Sequence, residues 1–134
     1  MFVDTSAWCA LTDRSDQNHD QAARLWKSIQ GMGAWLYTSD YVMDETLTLL
    51  RMRTGHANAV KFGQAVQNSA VVEVLWMDED AWKDSWLTFS TYHDKDFSFT
   101  DCTSFVFMKK LGLSRVFAFD RHFTQAGFQL VPGK

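Results

Sequence analysis

Proline and cysteine are nearly missing from this 134-residue chain: Pro132 is the one proline, and Cys9 and Cys102 are the only cysteines. No stretch rich in Gly, Ser and Pro marks a linker, so residues 1–134 read as a single domain. Two cysteines make no disulfide framework, and without a C-x-x-C pair they offer neither a zinc knuckle nor a redox motif. The histidines (His19, His56, His93 and His122) never fall three to five residues apart, which argues against a structural zinc site. No apolar run approaches the roughly 18 residues of a membrane span, and Asp4 interrupts the N-terminus. The expectation is a chain without membrane span or signal peptide, working in a reducing cytoplasm. Positive charge is also in short supply. Against 16 Asp and Glu stand 13 Lys and Arg, a net charge of −3, which excludes a wholesale basic coat for nucleic acid but not a local basic rim.

What the chain has is apolar bulk. Hydrophobic residues make up 46%, with 11 Phe, 6 Trp and 3 Tyr, and only 22% are charged. That composition is incompatible with disorder, and the length suffices to bury roughly two-thirds of the unfolded surface.

Short extended runs alternate with longer helical ones. Met1–Thr5 reads as a buried strand before a helical turn over Ser6–Leu11. Asn18–Gln30 is helical, with Ala22, Leu25, Trp26 and Ile29 on one stripe. Trp35–Thr38 is a strand, and Ser39 caps a helix over Tyr41–Met52. A further helix over Ala57–Gln67 carries Ala59, Val60, Phe62 and Val66 as apolar positions. Val71–Trp76 is a β-branched strand. Asp78–Tyr92 is a helix opened by acids, with Trp82, Trp86 and Phe89 in helical register. Ser98 caps a helix that stops at Gly112. Arg115–Phe119 and Phe128–Val131 are strands on either side of a turn at Arg121–Ala126. Strands separated by helices pair in parallel through crossovers, so the fold class is α/β, a three-layer α/β/α sandwich with a central, mainly parallel sheet. Sites in such sheets form where strands end and helices begin.

Acids stand at those places. Asp4 closes the first strand and Asp120 follows a later one; each also suits an N-cap. Glu45 lies on the apolar stripe of its helix, three residues after Val42 and four before Leu49. Asp101 sits three residues after Ser98, as in a capping box. If all four converged on one sheet edge, their mutual repulsion would call for a cation. Oxygen ligands with no histidine or cysteine nearby would select a hard ion, Mg²⁺ or Mn²⁺.

Four segments carry a family resemblance: Asp4-Thr5-Ser6-Ala7-Trp8, then Ser39-Asp40-Tyr41-Val42-Met43-Asp44-Glu45, then Asp96-Phe97-Ser98-Phe99-Thr100-Asp101-Cys102, and Phe119-Asp120-Arg121-His122-Phe123. In this order they resemble the PIN domain, and within it the VapC-like ribonuclease toxins of toxin–antitoxin pairs. The resemblance spans nearly the whole chain. It implies a PIN-like α/β/α fold and a catalytic metal site built by Asp4, Glu45, Asp101 and Asp120, with Asp4 and Asp101 the most dependable ligands. The sequence departs from the family at Ala118, where relatives often carry a hydroxyl, and at Cys102, where alanine is more usual. Cys102 is expected as a buried, inert thiol.

The implied reaction is endonucleolytic hydrolysis of RNA, leaving a 5′-phosphate and a 3′-hydroxyl, with one or two Mg²⁺ activating water. Thr5, Ser6 and Ser98 are candidates to orient the carboxylates, although Ser6 and Ser98 serve equally as helix caps. Asp96 reads as a loop aspartate. Arg121, beside Asp120, is the leading substrate contact within a rim of Arg14, Arg51, Arg53, Lys109, Lys110 and Arg115, whose default reading is solvated helix faces. His122 is a bystander in this scheme. Trp8, Trp26, Trp82 and Trp86 have the chemistry to stack bases, but the spacing of the last two favours core or interface. The tryptophan content implies exposed apolar area, which the family would use for homodimerisation and for a cognate antitoxin segment. The rival reading is a catalytically silent PIN-like module that binds RNA or protein. A haloacid-dehalogenase-type phosphatase is disfavoured because Ser6 stands where its second Asp belongs, and a Rossmann module because no glycine-rich fingerprint follows the first strand.

Overall fold

A computed structural model describes residues 1–133. The elements run β1 (Phe2–Val3), α1 (Thr5–Thr12), α2 (His19–Gly31), β2 (Leu36–Ser39), α3 (Asp40–Thr54) and α4 (His56–Gln67). They continue with β3 (Val72–Leu75), α5 (Glu79–Thr91), α6 (Phe99–Leu111), β4 (Arg115–Phe117), α7 (His122–Gln125) and β5 (Gln129–Val131). The strands form one sheet in the order β3-β2-β1-β4-β5, and every pairing is parallel. This is the α/β/α architecture read from the sequence.

The strand order fixes where a site can form. The chain steps outward from β1 to β2 and β3, then returns to lay β4 and β5 on the other side of β1. Phe2 therefore pairs with both Tyr37 and Val116, and Val3 with Phe117. The carboxyl end of β1 is thus the point where the winding reverses, the place where such sheets open a crevice. Phe2 and Val3 are both fully buried although adjacent strand residues face opposite ways, so helices cover both sheet faces.

Two aromatic groups fill these layers. Trp8 of α1 meets Trp26 of α2 and Phe62 of α4 edge-on, at 5.8 and 5.4 Å between ring centres. Phe105 of α6 gathers Phe97, Phe123 and Phe128 at 4.9, 5.3 and 5.7 Å. Helix α6 is buried at every residue from Asp101 to Met108, as expected of a helix with neighbours all round. It starts on the Ser98 cap and ends at Gly112, whose φ of +68° is the left-handed conformation that glycine adopts without strain.

Several local expectations need correction. Strand β4 stops at Phe117 rather than Phe119, because the Phe119 N–H leaves the ladder to donate to Ser6 Oγ (2.9 Å). Val60, placed on the apolar stripe of α4, is 40% exposed. Trp82 and Trp86, expected in core or interface, stack nearly parallel (7°, 6.2 Å) and stay about half exposed, with Trp82 also against Phe99 of α6 (5.6 Å), so of the two readings only the core one is excluded. Trp8, a candidate base-stacker, is buried instead.

Candidate metal centre

Asp4 is set by the sheet itself. Its backbone N–H donates to Phe117 O (3.0 Å), the last bond between β1 and the β4 strand, and Asp4 then caps α1. Its Oδ2 accepts from both the Ser6 N–H (3.2 Å) and the Ser6 hydroxyl (2.9 Å). Because that hydroxyl oxygen also receives the Phe119 N–H, Ser6 ties Asp4 to the segment that carries Asp120.

Asp101 and Asp120 are held by the same device. The Ser98–Asp101 capping box is complete: Asp101 N–H donates to Ser98 Oγ, and Ser98 N–H donates to Asp101 Oδ2, both at 3.0 Å. That Oδ2 also accepts from His122 Nδ1 at 2.8 Å. Asp120 Oδ1 accepts the His122 backbone N–H at 2.9 Å. Each of the three aspartates thus commits one oxygen to a helix start, and the other oxygen makes no hydrogen bond among the described residues. The one fully buried side-chain polar atom without a partner among them is Ser104 Oγ, so none of the three unbonded aspartate oxygens is sealed off completely. Helix capping and metal binding are compatible at these aspartates, because capping uses one oxygen and leaves its twin available.

Glu45 reaches the cleft from α3, half-buried, with the Thr5 hydroxyl favouring its charged form. Thr5 is itself anchored through Val42 O and the Thr46 hydroxyl. All four acids, with Thr5, Ser6 and Ser98, line one cleft of about 370 Å³ at the reversal point of the sheet. Asp16, Asn18 and Arg53 stand on its walls. Burial, reinforced by Asp101 and Glu45, pushes the Asp4 carboxyl up to about 7 against the opposing Ser6 hydrogen bonds. Burial likewise raises Glu45, with Asp101 and Asp120 adding to it. Asp101 is raised by burial and by Asp120, while Ser98 and His122 pull it down. These acids therefore feel one another.

The donor chemistry fits a divalent cation. Asp101, Asp120 and His122 each present a ligand atom within 4.8 Å of the others, while Asp4 and Glu45 complete the cleft without entering that tightest group. The expectation of oxygens with no histidine nearby is corrected by His122, whose Nδ1 touches two of the acids. A signal was present: two residues after Asp120, in the first turn of a helix, a side chain can fold back over the same strand end. Cys9 also lines the cleft, but burial pushes its thiol up to about 11, so it is no thiolate donor in the metal-free protein. Cys102 is fully buried and raised to the same level, inert as expected.

The basic rim is only partly realised at the site. Arg53 lines the acidic cleft, whereas Arg121 is exposed and lines an adjoining polar cleft of about 460 Å³ with Lys95 and Asp96. Asp120 and His122 form the ridge between the two. Arg14, Arg51, Lys109, Lys110 and Arg115 lie exposed outside both clefts, and Lys110 pairs with Asp84 at 3.5 Å. An apolar cleft of about 390 Å³, containing Trp8, Trp26 and Phe62, lies apart from the acids.

Comparison with known proteins gives a consistent picture. Residues 1–129 match the PIN domain family. The chain is 40% identical over 96% of its length to the 23S rRNA-specific endonuclease VapC20 of Mycobacterium tuberculosis, covering 95% of that protein. It is 27% identical over 92% of its length to a VapC ribonuclease of Archaeoglobus fulgidus, covering 78% of it. The crystal structure of Mycobacterium tuberculosis VapC20, described as a Sarcin-Ricin loop cleaving toxin, matches with a TM-score of 0.89 over 95% of both chains. FitAcB from Neisseria gonorrhoeae, at 14% identity and a TM-score of 0.68, covers 96% of this chain and 94% of its own and shares the fold.

Proposed function

This chain belongs to the PIN-domain family, and we propose that it is a Mg²⁺-dependent endoribonuclease, the toxin of a toxin–antitoxin pair, acting as a single domain in the cytoplasm. The observation that carries the reading is the convergence of Asp4, Glu45, Asp101 and Asp120 on one cleft, with a free oxygen left on each aspartate. Four like charges in one partly desolvated cleft are costly unless a cation sits among them. Mn²⁺ would substitute, since it shares the preference for carboxylate and water. No helix among the described residues is long and apolar enough to cross a membrane.

When bound, the ion lowers the pKa of water and stabilises charge on the leaving oxygen. The chain's own residues do the rest. Asp4, Asp101, Glu45 and Asp120 would hold the ion, Asp4 and Asp101 with carboxylate oxygens not used by their caps. Ser6 and Ser98 keep those caps in place, and Thr5 lines the cleft with Glu45. Arg53 on the cleft wall meets a phosphate of the strand being cut. Cleavage with the water as nucleophile leaves a 5′-phosphate and a 3′-hydroxyl. Arg121, across the Asp120–His122 ridge, contacts the RNA beside the scissile bond.

The names of the relatives make 23S rRNA and its sarcin–ricin loop the first substrate to try. A cognate antitoxin and a second copy of the chain are the proposed protein partners. The exposed Trp82, Trp86, Leu87 and Phe89 of α5 form an apolar surface suited to self-association. The test is incubation of the chain with a sarcin–ricin loop RNA and with total RNA. Cleavage that needs Mg²⁺ or Mn²⁺, stops with EDTA and is lost in Asp101→Asn supports the reading. RNA binding without turnover, indifferent to metal, overturns it.

A further inference from the structure

His122 lies among the acids and has no task in the scheme above. Its Nδ1 is 2.8 Å from Asp101 Oδ2 and 3.3 Å from Asp120 Oδ1, and its backbone N–H donates to the same Asp120 oxygen at 2.9 Å. The ring is held edge-on by Phe97 (5.6 Å, 77°). The next residue, Phe123, is fully buried against Phe105 of α6 (5.3 Å), so α7 cannot drift from α6. The imidazole is therefore fixed between two carboxylates that come from different elements.

Asp101 Oδ2 already accepts the Ser98 N–H, so the 2.8 Å contact with His122 Nδ1 assigns that nitrogen as a second donor to the same oxygen. A protonated Nδ1 has no lone pair to give a metal. We propose that His122 is a positioning residue: its Nδ1–H holds Asp101 Oδ2 while its backbone N–H holds Asp120 Oδ1, so that one residue ties the two carboxylates together and leaves Asp101 Oδ1 and Asp120 Oδ2 for an ion; the assignment rests on the metal-centre reading. Without the ring, Asp101 Oδ2 keeps only the Ser98 N–H and is no longer tied to the residue whose backbone holds Asp120. The ion then meets ligands that must first be brought together.

The test measures Mn²⁺ binding to the full chain by the EPR signal of free Mn²⁺, with thermal melting to establish that each variant is folded. The expected result is that His122→Ala weakens Mn²⁺ by about 10-fold or more, whereas His122→Asn, whose amide N–H can replace Nδ1–H, falls by less than about 10-fold. RNA cleavage follows the same order at limiting metal and recovers in both variants at saturating metal, with KM for RNA unchanged. Parent-like Mn²⁺ binding in His122→Ala overturns the proposal. So does an Asn variant as weak as the Ala variant, which would make the imidazole itself a ligand. Failure of the underlying metal-centre reading looks different, because the parent chain itself would then bind no Mn²⁺.

Discussion

Asp4 shows how much one side chain can be asked to do. It ends a strand, caps a helix, and carries a proton up to about pH 7 in the metal-free protein, mainly because it is buried. A carboxyl whose folded pKa lies above its unfolded value stabilises the fold while protonated. That contribution is complete below the ordinary carboxylate range and is lost as pH rises through about 7. Glu45 and Asp101 are shifted in the same direction. The melting temperature of the metal-free chain should therefore fall between about pH 5 and about pH 8, by roughly 5–10 °C, and Asp4→Asn should flatten that slope. A melting temperature that rises over this interval would contradict the burial of these acids. At pH 8, Asp4→Asn and Asp101→Asn should melt no lower than the parent, because each removes one of several repelling charges. Their cleavage of RNA should fall by about 100-fold or more, the loss expected when several kcal/mol of transition-state charge stabilisation disappear. A gel time course at saturating Mg²⁺ measures it.

Among the elements, the joints matter more than the spans. Ser6 joins α1 to the segment after β4 by donating to Asp4 and accepting from the Phe119 N–H. Ser6→Ala should leave that N–H unpaired and cost about 1–3 kcal/mol, read by urea unfolding. Cleavage should fall as well, because the lost joint frees Asp4 and Asp120 to move independently. Many such joints are legible in the sequence. Ser39 and Ser98 announce α3 and α6 as N-caps, Gly112 announces the end of α6, and Asp101 sits at the capping-box position it occupies in the fold. These are local rules, satisfied within one turn. The misses are non-local. Helical spacing shows that Trp82, Trp86 and Phe89 share a stripe but not how deeply it is buried, and here it stays half exposed, with Trp82 and Phe89 against Phe99 of α6. The end of β4 at Phe117 depends on a serine more than a hundred positions away. His122 acquires its place only when α7 packs on α6, a pairing that no spacing rule contains.

At the scale of the whole molecule, the four acids come from positions 4, 45, 101 and 120, and only the completed sheet brings them together. An unfolded chain offers no such cluster, so an ion that binds there stabilises the fold by mass action. Mn²⁺ at about 100 times its dissociation constant should add about 2.7 kcal/mol to the unfolding free energy. EDTA should remove the gain, and Asp101→Asn should not show it. The stacked tryptophans of α5 lie on a different part of the surface. If the proposed dimer forms through this face, Trp86→Glu should give a monomer by light scattering while the folded chain keeps the metal affinity of the parent. A variant that remains dimeric would move the interface elsewhere.

Asp4, Asp101 and Asp120 each tether themselves with one oxygen and leave the other without a hydrogen bond among the described residues. An amide put in place of an acid keeps the tether and withdraws only the charge. On the proposed reading such a chain would be a decoy, native in outline, expected to seat a nucleic acid against Arg53 without releasing it as fragments. Recovered from a cell extract with its cargo attached, it would let sequencing of the captured strand name the target directly.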